Sequence, residues 1–199
     1  QYHIEKIINA FEEIHSTKTE LSIEPVDVYD NYMGKLKDRV KNNDDYPFPE
    51  KYDLIKRIDP IIREYIFSDK FKITGVVHGD PWFSNTMIDL ESNIKFLDMK
   101  GNISGKLTTN GDLLTDYAKI MQSLLGFDFI VEDKQIELAS LKKLKDFFIG
   151  SILNKGYEKD LIIAITTCMI SKTIAFFPAN SPHKRLIWEL ATELCKDIK

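Results

Sequence analysis

Between Lys72 and Asp98 the chain breaks its own rhythm. Before and after it, apolar residues recur at helical spacing. Ile4, Ile7, Ile8, Phe11 and Ile14 form one stripe, and Leu54, Ile55, Ile58, Ile61, Ile62, Tyr65 and Ile66 form another. Leu113, Leu114, Tyr117, Ile120, Met121, Leu124 and Leu125 form a third. Repeats of three and four residues put side chains on one face of a helix. Within 72–98 stand three short β-branched or aromatic runs, "KITGVV", "TMIDL" and "IKFLD", cut by turn chemistry, and these predict strands. A brief extended element enclosed by helical chain leaves few solutions. The expected fold is mainly α with a small β element (α+β), as one domain over residues 1–199.

The flanks predict further helices over 136–149, 158–177 and 182–198, the last opened by Ser181-Pro182 as N-cap and first-turn pair. Gly126 should stop the helix that begins at 113. Pro60 should kink or break the helix over 51–67. Residues 25–50 hold three prolines and read as polar and turn-rich, with room for a helix in "YDNYMGKLKDRVKNN"; Tyr46, Phe48 and Tyr52 would anchor that long loop. Residues 101–111 read as a loop.

Several function classes drop out. Net charge is -4 with the signs well mixed, so no basic stripe for nucleic acid is present. "HKR" at 183–185 reads as a solvated helix face. The most apolar run, 161–177, approaches membrane-spanning length but carries hydroxyls and Lys172, and reads as a core helix. Cys168 and Cys195 lie in apolar helical patterns and read as reduced core thiols, with a cytoplasmic location expected.

The polar residues of the β element are spaced as if for chemistry. "HGDPWFSN" sets Asp80 five residues before Asn85, and "LDMKG" sets Asp98 just after an apolar run. Two carboxylates and an amide are hard oxygen donors, which suit Mg²⁺; a magnesium held by two side chains keeps positions open for phosphate oxygens. The third group can then take a proton from an attacking hydroxyl, a division of labour found in phosphoryl transfer. Asp112 and Asp116 also suit a helix N-terminus by the dipole alone. His3, His15 and His183 read as surface or cap residues, and Asp128, Glu132 and Asp133 as a solvated acidic turn. Trp82 could pack beneath the loop or face a cationic substrate. Lys100 could reach a phosphate or a charged substrate, or lie in solvent.

These strings, with "GDLLTDYAKI" downstream and "FEEIHS" upstream in the same order, resemble the aminoglycoside phosphotransferase and choline kinase family, small-molecule kinases of protein-kinase-like fold. The resemblance runs from about residue 5 to about residue 125. It implies that Asp80 is the catalytic base, that Asn85 and Asp98 hold Mg²⁺ and with it ATP, and that His78 and Asp116 support the loop, with Asp112 assisting. It implies a small-molecule acceptor: a sugar, polyol, choline or aminoglycoside-like molecule, with surface-polysaccharide metabolism as one setting. It also implies an N-terminal lobe with a phosphate-covering loop and a phosphate-binding lysine, and no such segment is present here. The chain is therefore expected to be the C-terminal lobe of a longer protein, inactive without its N-lobe. Two other readings compete: a non-catalytic nucleotide- or partner-binding module, and a metal-dependent phosphohydrolase that uses water as acceptor.

Overall fold

The computed structural model describes residues 1–42, 44–135 and 138–199. The fold is mostly helical with two small antiparallel sheets. α1 (Tyr2–Ser16) buries Ile4, Ile7, Ile8 and Phe11, the stripe its spacing dictates. α2 (Pro25–Tyr29) starts with proline in its first turn, passes through a π-helical turn (Asp30–Gly34), and continues as α3 (Lys35–Arg39). α4 (Lys51–Ile66) is followed by the β segment. There β1 (Thr86–Ile88) pairs with β2 (Ile94–Phe96), and β3 (Asn102–Ile103) with β4 (Lys106–Leu107). α5 (Leu114–Leu124), α6 (Phe127–Val131), α7 (Leu138–Asn154), α8 (Lys159–Thr173) and α9 (Pro182–Cys195) complete the chain.

α8 is the centre of the body. Every residue from Leu161 to Lys172 is buried, and α4, α5 and α9 all pack on it. A helix apolar all round belongs in a core. Among the described residues no helix is long and apolar enough to cross a membrane. Cys168 and Cys195 are buried free thiols.

The structure corrects several expectations. "KITGVV" is not a strand. It makes one bridge, with Thr74 N donating to Gly111 O at 2.8 Å and Gly111 N to Thr74 O at 3.1 Å. Its neighbour is the irregular 108–111 segment, and the Gly75 carbonyl is taken up by the side chains of Thr19, Thr109 and Asn110. The supposed turn-rich stretch is helical from Pro25, and Tyr29, Tyr32, Met33 and Leu36 are its buried face. Pro60 does not break α4; it lies on the exposed face, where the carbonyl it leaves free can meet water. Residues 101–111 contain the β3–β4 hairpin. The helix over 158–177 tightens to a 3₁₀ turn at Ile174–Phe176. Of the expected helix 136–149, residues 136 and 137 lie outside the described residues, as does Asn43 in the expected 29–43 helix.

Lys184, taken for part of a solvated face, is 2% exposed and pairs with Asp45 at 2.9 Å. Tyr46 is fully buried and Phe48 stacks on Trp188 at 4.6 Å, but Tyr52 is exposed and anchors nothing.

Candidate functional site

The site is built around one buried acid. Asp116, at the first turn of α5, is 0% exposed and accepts hydrogen bonds from His78 N at 2.9 Å and Gly79 N at 2.7 Å. A carboxylate shared by two consecutive amides fixes the backbone that enters Asp80. The turn itself needs Gly79, whose φ of +83° is open to residues without a Cβ. His15, at the end of α1, sets its Nε2 2.8 Å from the same Asp116. His15 was expected at the surface; instead it is part of the buried frame. Its ring stacks on Phe11, which stacks in turn on Phe96 of β2, with centroids 5.6 Å and 4.8 Å apart. This stack ties α1 to the sheet.

His78 is 2% exposed. Asp80 N donates to its Nδ1 at 3.3 Å, so the ring carries its proton on Nε2, which has no hydrogen-bond partner among the described residues. The ring tilts against Phe96. Asp112, also buried, accepts from Tyr32 at 3.0 Å, Tyr65 at 3.1 Å and the backbone of Leu114 at 3.0 Å. Burial pushes its carboxyl up to about 6.

Asp80 itself is half-buried. Its Oδ1 lies 2.9 Å from Nζ of Lys119, one helical turn beyond Asp116 on α5. Its carbonyl accepts from Asn85 Nδ2 at 2.9 Å, closing the loop on itself. Leu97 N donates to Asn85 O at 2.9 Å and extends the β1–β2 ladder by one step. Asp98 is the next residue, so Asn85 and Asp98 leave the hairpin at the same end. Asp98 sits at φ +58°, in the left-handed region that a non-glycine residue seldom adopts. Its carboxylate is exposed and has no hydrogen bond or ion pair among the described residues.

Asn85 spends its amide hydrogens on Asp80, which leaves its oxygen for a cation. With the unengaged Asp98 carboxylate it offers two hard donors, the number that suits magnesium shared with phosphate rather than a protein-only cage. No group of three His, Cys, Asp or Glu that could hold a metal occurs among the described residues.

The loop rests on a relay. Phe83 N donates to Ser123 Oγ at 3.0 Å, and Ser123 donates to Asp128 Oδ1 at 3.0 Å. Asp128 is therefore not part of a solvated turn: it is buried on α6, and burial pushes its carboxyl up to about 6. Glu132 accepts from Ser84 at 3.0 Å, and Asp133 pairs with His183 at 3.0 Å. Trp82 is half-buried, with its ring edge toward Phe127 at 6.2 Å. Its packing role is in hand.

Lys100 N donates to His78 O at 3.0 Å, and its side chain runs across Gly79. The ammonium is pushed down to about 8, first by the protein atoms gathered round it and then by Lys119, Lys35 and Arg39. The residue as a whole is exposed.

Two participants escaped sequence reasoning, His15 and Lys119. Lys119 left a trace: Asp116 and Lys119 stand three apart, on one face of α5. Comparison with protein-family models, curated proteins and solved structures returns no match for this chain.

Proposed function

We propose that the chain is the acceptor-side lobe of an ATP- and Mg²⁺-dependent phosphotransferase that acts on a hydroxyl of a small molecule. The observation that carries this reading is the placement of Asp80. It follows a turn pinned by Asp116, is held through Oδ1 by Lys119, and stands beside the end of the hairpin where Asn85 and Asp98 emerge.

Asp80 Oδ2 has no protein partner among the described residues and is the atom to accept the proton of an acceptor hydroxyl. Lys119 fixes the carboxylate and brings a positive charge to the place where a transferring phosphoryl group would develop negative charge. Asn85 and Asp98 would hold the metal ion, which when bound would shield the phosphates and leave them open to attack. The hairpin also carries a row of exposed large apolar residues: Met87, Ile88, Leu90, Leu97 and Met99. Such a row asks for cover. A nucleotide base and an N-terminal lobe would supply it.

The test is ATP turnover by the full-length protein with Mg²⁺ against sugars, polyols, amino alcohols and aminoglycosides. Asp80→Asn is expected to lower turnover by about a hundredfold or more while Mg-ATP affinity holds. Asp98→Ala is expected to weaken Mg-ATP binding itself. Near-native turnover in Asp80→Asn would remove the base assignment.

A further inference from the structure

Asp80 has cations beside it, and of these only Lys119 forms an ion pair among the described residues. Lys100 crosses Gly79, the residue before Asp80. A cleft beside it is lined by Asn31, His78, Gly79, Lys100 and Asn110. Asn31 takes Lys35 Nζ on its Oδ1 at 2.7 Å, which brings Lys35 to the edge of that cleft. Arg39, one turn further along α3, donates to the backbone oxygen of Lys172 and lies over the ring of Phe176 at 4.6 Å. Lys35, Arg39 and Lys119 lie within electrostatic reach of Lys100, and so does the carboxylate of Asp80.

Asp80 is already paired, through Lys119. Lys35, Arg39 and Lys100 make no ion pair within 4.0 Å among the described residues. Asp112 and Asp116 lie below the cleft but are buried and committed to tyrosines and backbone amides. Like charges gathered in one place raise the energy of the fold, and an anion would reverse that term. These cations come from α3 and from the segment that follows Asp98. The free donors Asn85 and Asp98 end the hairpin on the side of α1. Lys100, two residues beyond Asp98, borders the cleft against Gly79.

Resting on the kinase reading above, we propose that the acceptor is itself an anion. It would be a hydroxylated molecule bearing a phosphate or carboxylate, held by Lys35, Arg39 and Lys100 so that its hydroxyl meets Asp80. A cationic acceptor of the choline or aminoglycoside type would be repelled from this cleft.

The experiment is isothermal titration of the full-length protein with glucose, glucose 6-phosphate and glucuronate, and separately with Mg-ATP. One or both charged sugars are expected to bind about tenfold or more tighter than glucose, as charge-assisted contacts to an arginine and lysines allow. The double variant Lys35→Gln/Arg39→Gln should erase that preference, leave Mg-ATP affinity within about twofold, and regain much of the preference when Arg39 is Lys instead. Lys100→Gln, at an exposed side chain, gives the same reading should the double variant fail to fold. Equal affinity for the three sugars, or binding of none, overturns the proposal. So does a variant that loses Mg-ATP and keeps the sugar preference, since the cations would then serve the nucleotide. Loss of Mg-ATP binding by the native protein, with the charge preference intact and variant-sensitive, removes the kinase reading and leaves the anion site standing.

Discussion

Asp116 shows how one buried side chain can fix a loop from beneath. It accepts from His78 N and Gly79 N and meets His15, all out of water. Asp116→Ala would leave two amides buried and unpaired, so a loss of about 3 kcal/mol or more is expected by urea unfolding. His15→Ala removes one of three partners and should cost less in the same assay. The residue scale is also where the sequence spoke most clearly. Asp80, Asn85 and Asp98 stand out by spacing, because oxygen donors beside strand-like runs have few structural uses, and Asn85 and Asp98 do leave the hairpin at one end. Lys119 was hidden, because a lysine in an amphipathic helix usually points at solvent, and only the fold turns this one inward. His15 was hidden likewise, as a histidine at a helix end resembles a cap.

At the scale of elements, helices were legible where an apolar stripe faced the core and were missed where other signals competed. Residues 25–50 read as turn-rich with room for a helix from Tyr29; the helical stretch is present but starts earlier, at Pro25, which occupies a first turn, where its missing amide hydrogen costs nothing. The buried row Tyr29, Tyr32, Met33, Leu36 and Val40 was a helical pattern, masked by the charges between its members. "KITGVV" failed in the opposite sense. Its composition suits a strand, but strands need partners, and its neighbours offer one bridge. The start of α9 was legible from two residues. Ser181 Oγ accepts from His183 N at 3.2 Å, as an N-cap should. Ser181→Ala is expected to lower stability by about 1 kcal/mol, read as a shift in denaturation midpoint with unchanged slope.

At the scale of the molecule, buried charge sets the response to pH. Asp112 and Asp128 titrate near 6 when folded, against 3.8 ordinarily, so the native state holds protons that the unfolded chain releases. Their contribution is fully present below about pH 4 and fades as pH rises through about 6. Lys172 is opposite: burial lowers it from 10.5 to about 7, so its contribution is present at high pH and fades as pH falls through about 7. Stability should therefore pass through a minimum between about pH 6 and pH 7, with a rise toward pH 9 to which Lys100 also contributes and which Lys172→Met reduces. Denaturant midpoints collected across pH would show it. The Thr74–Gly111 bridge has a consequence on the same scale. It joins the two ends of the segment that holds both sheets and the Asp80 loop, so 75–110 enters and leaves the helical body through a single doorway. Length added at the fully exposed hairpin tip near Leu90 would lengthen a branch without shifting the trunk. A change at the doorway would move Asp80 and its anchor against each other.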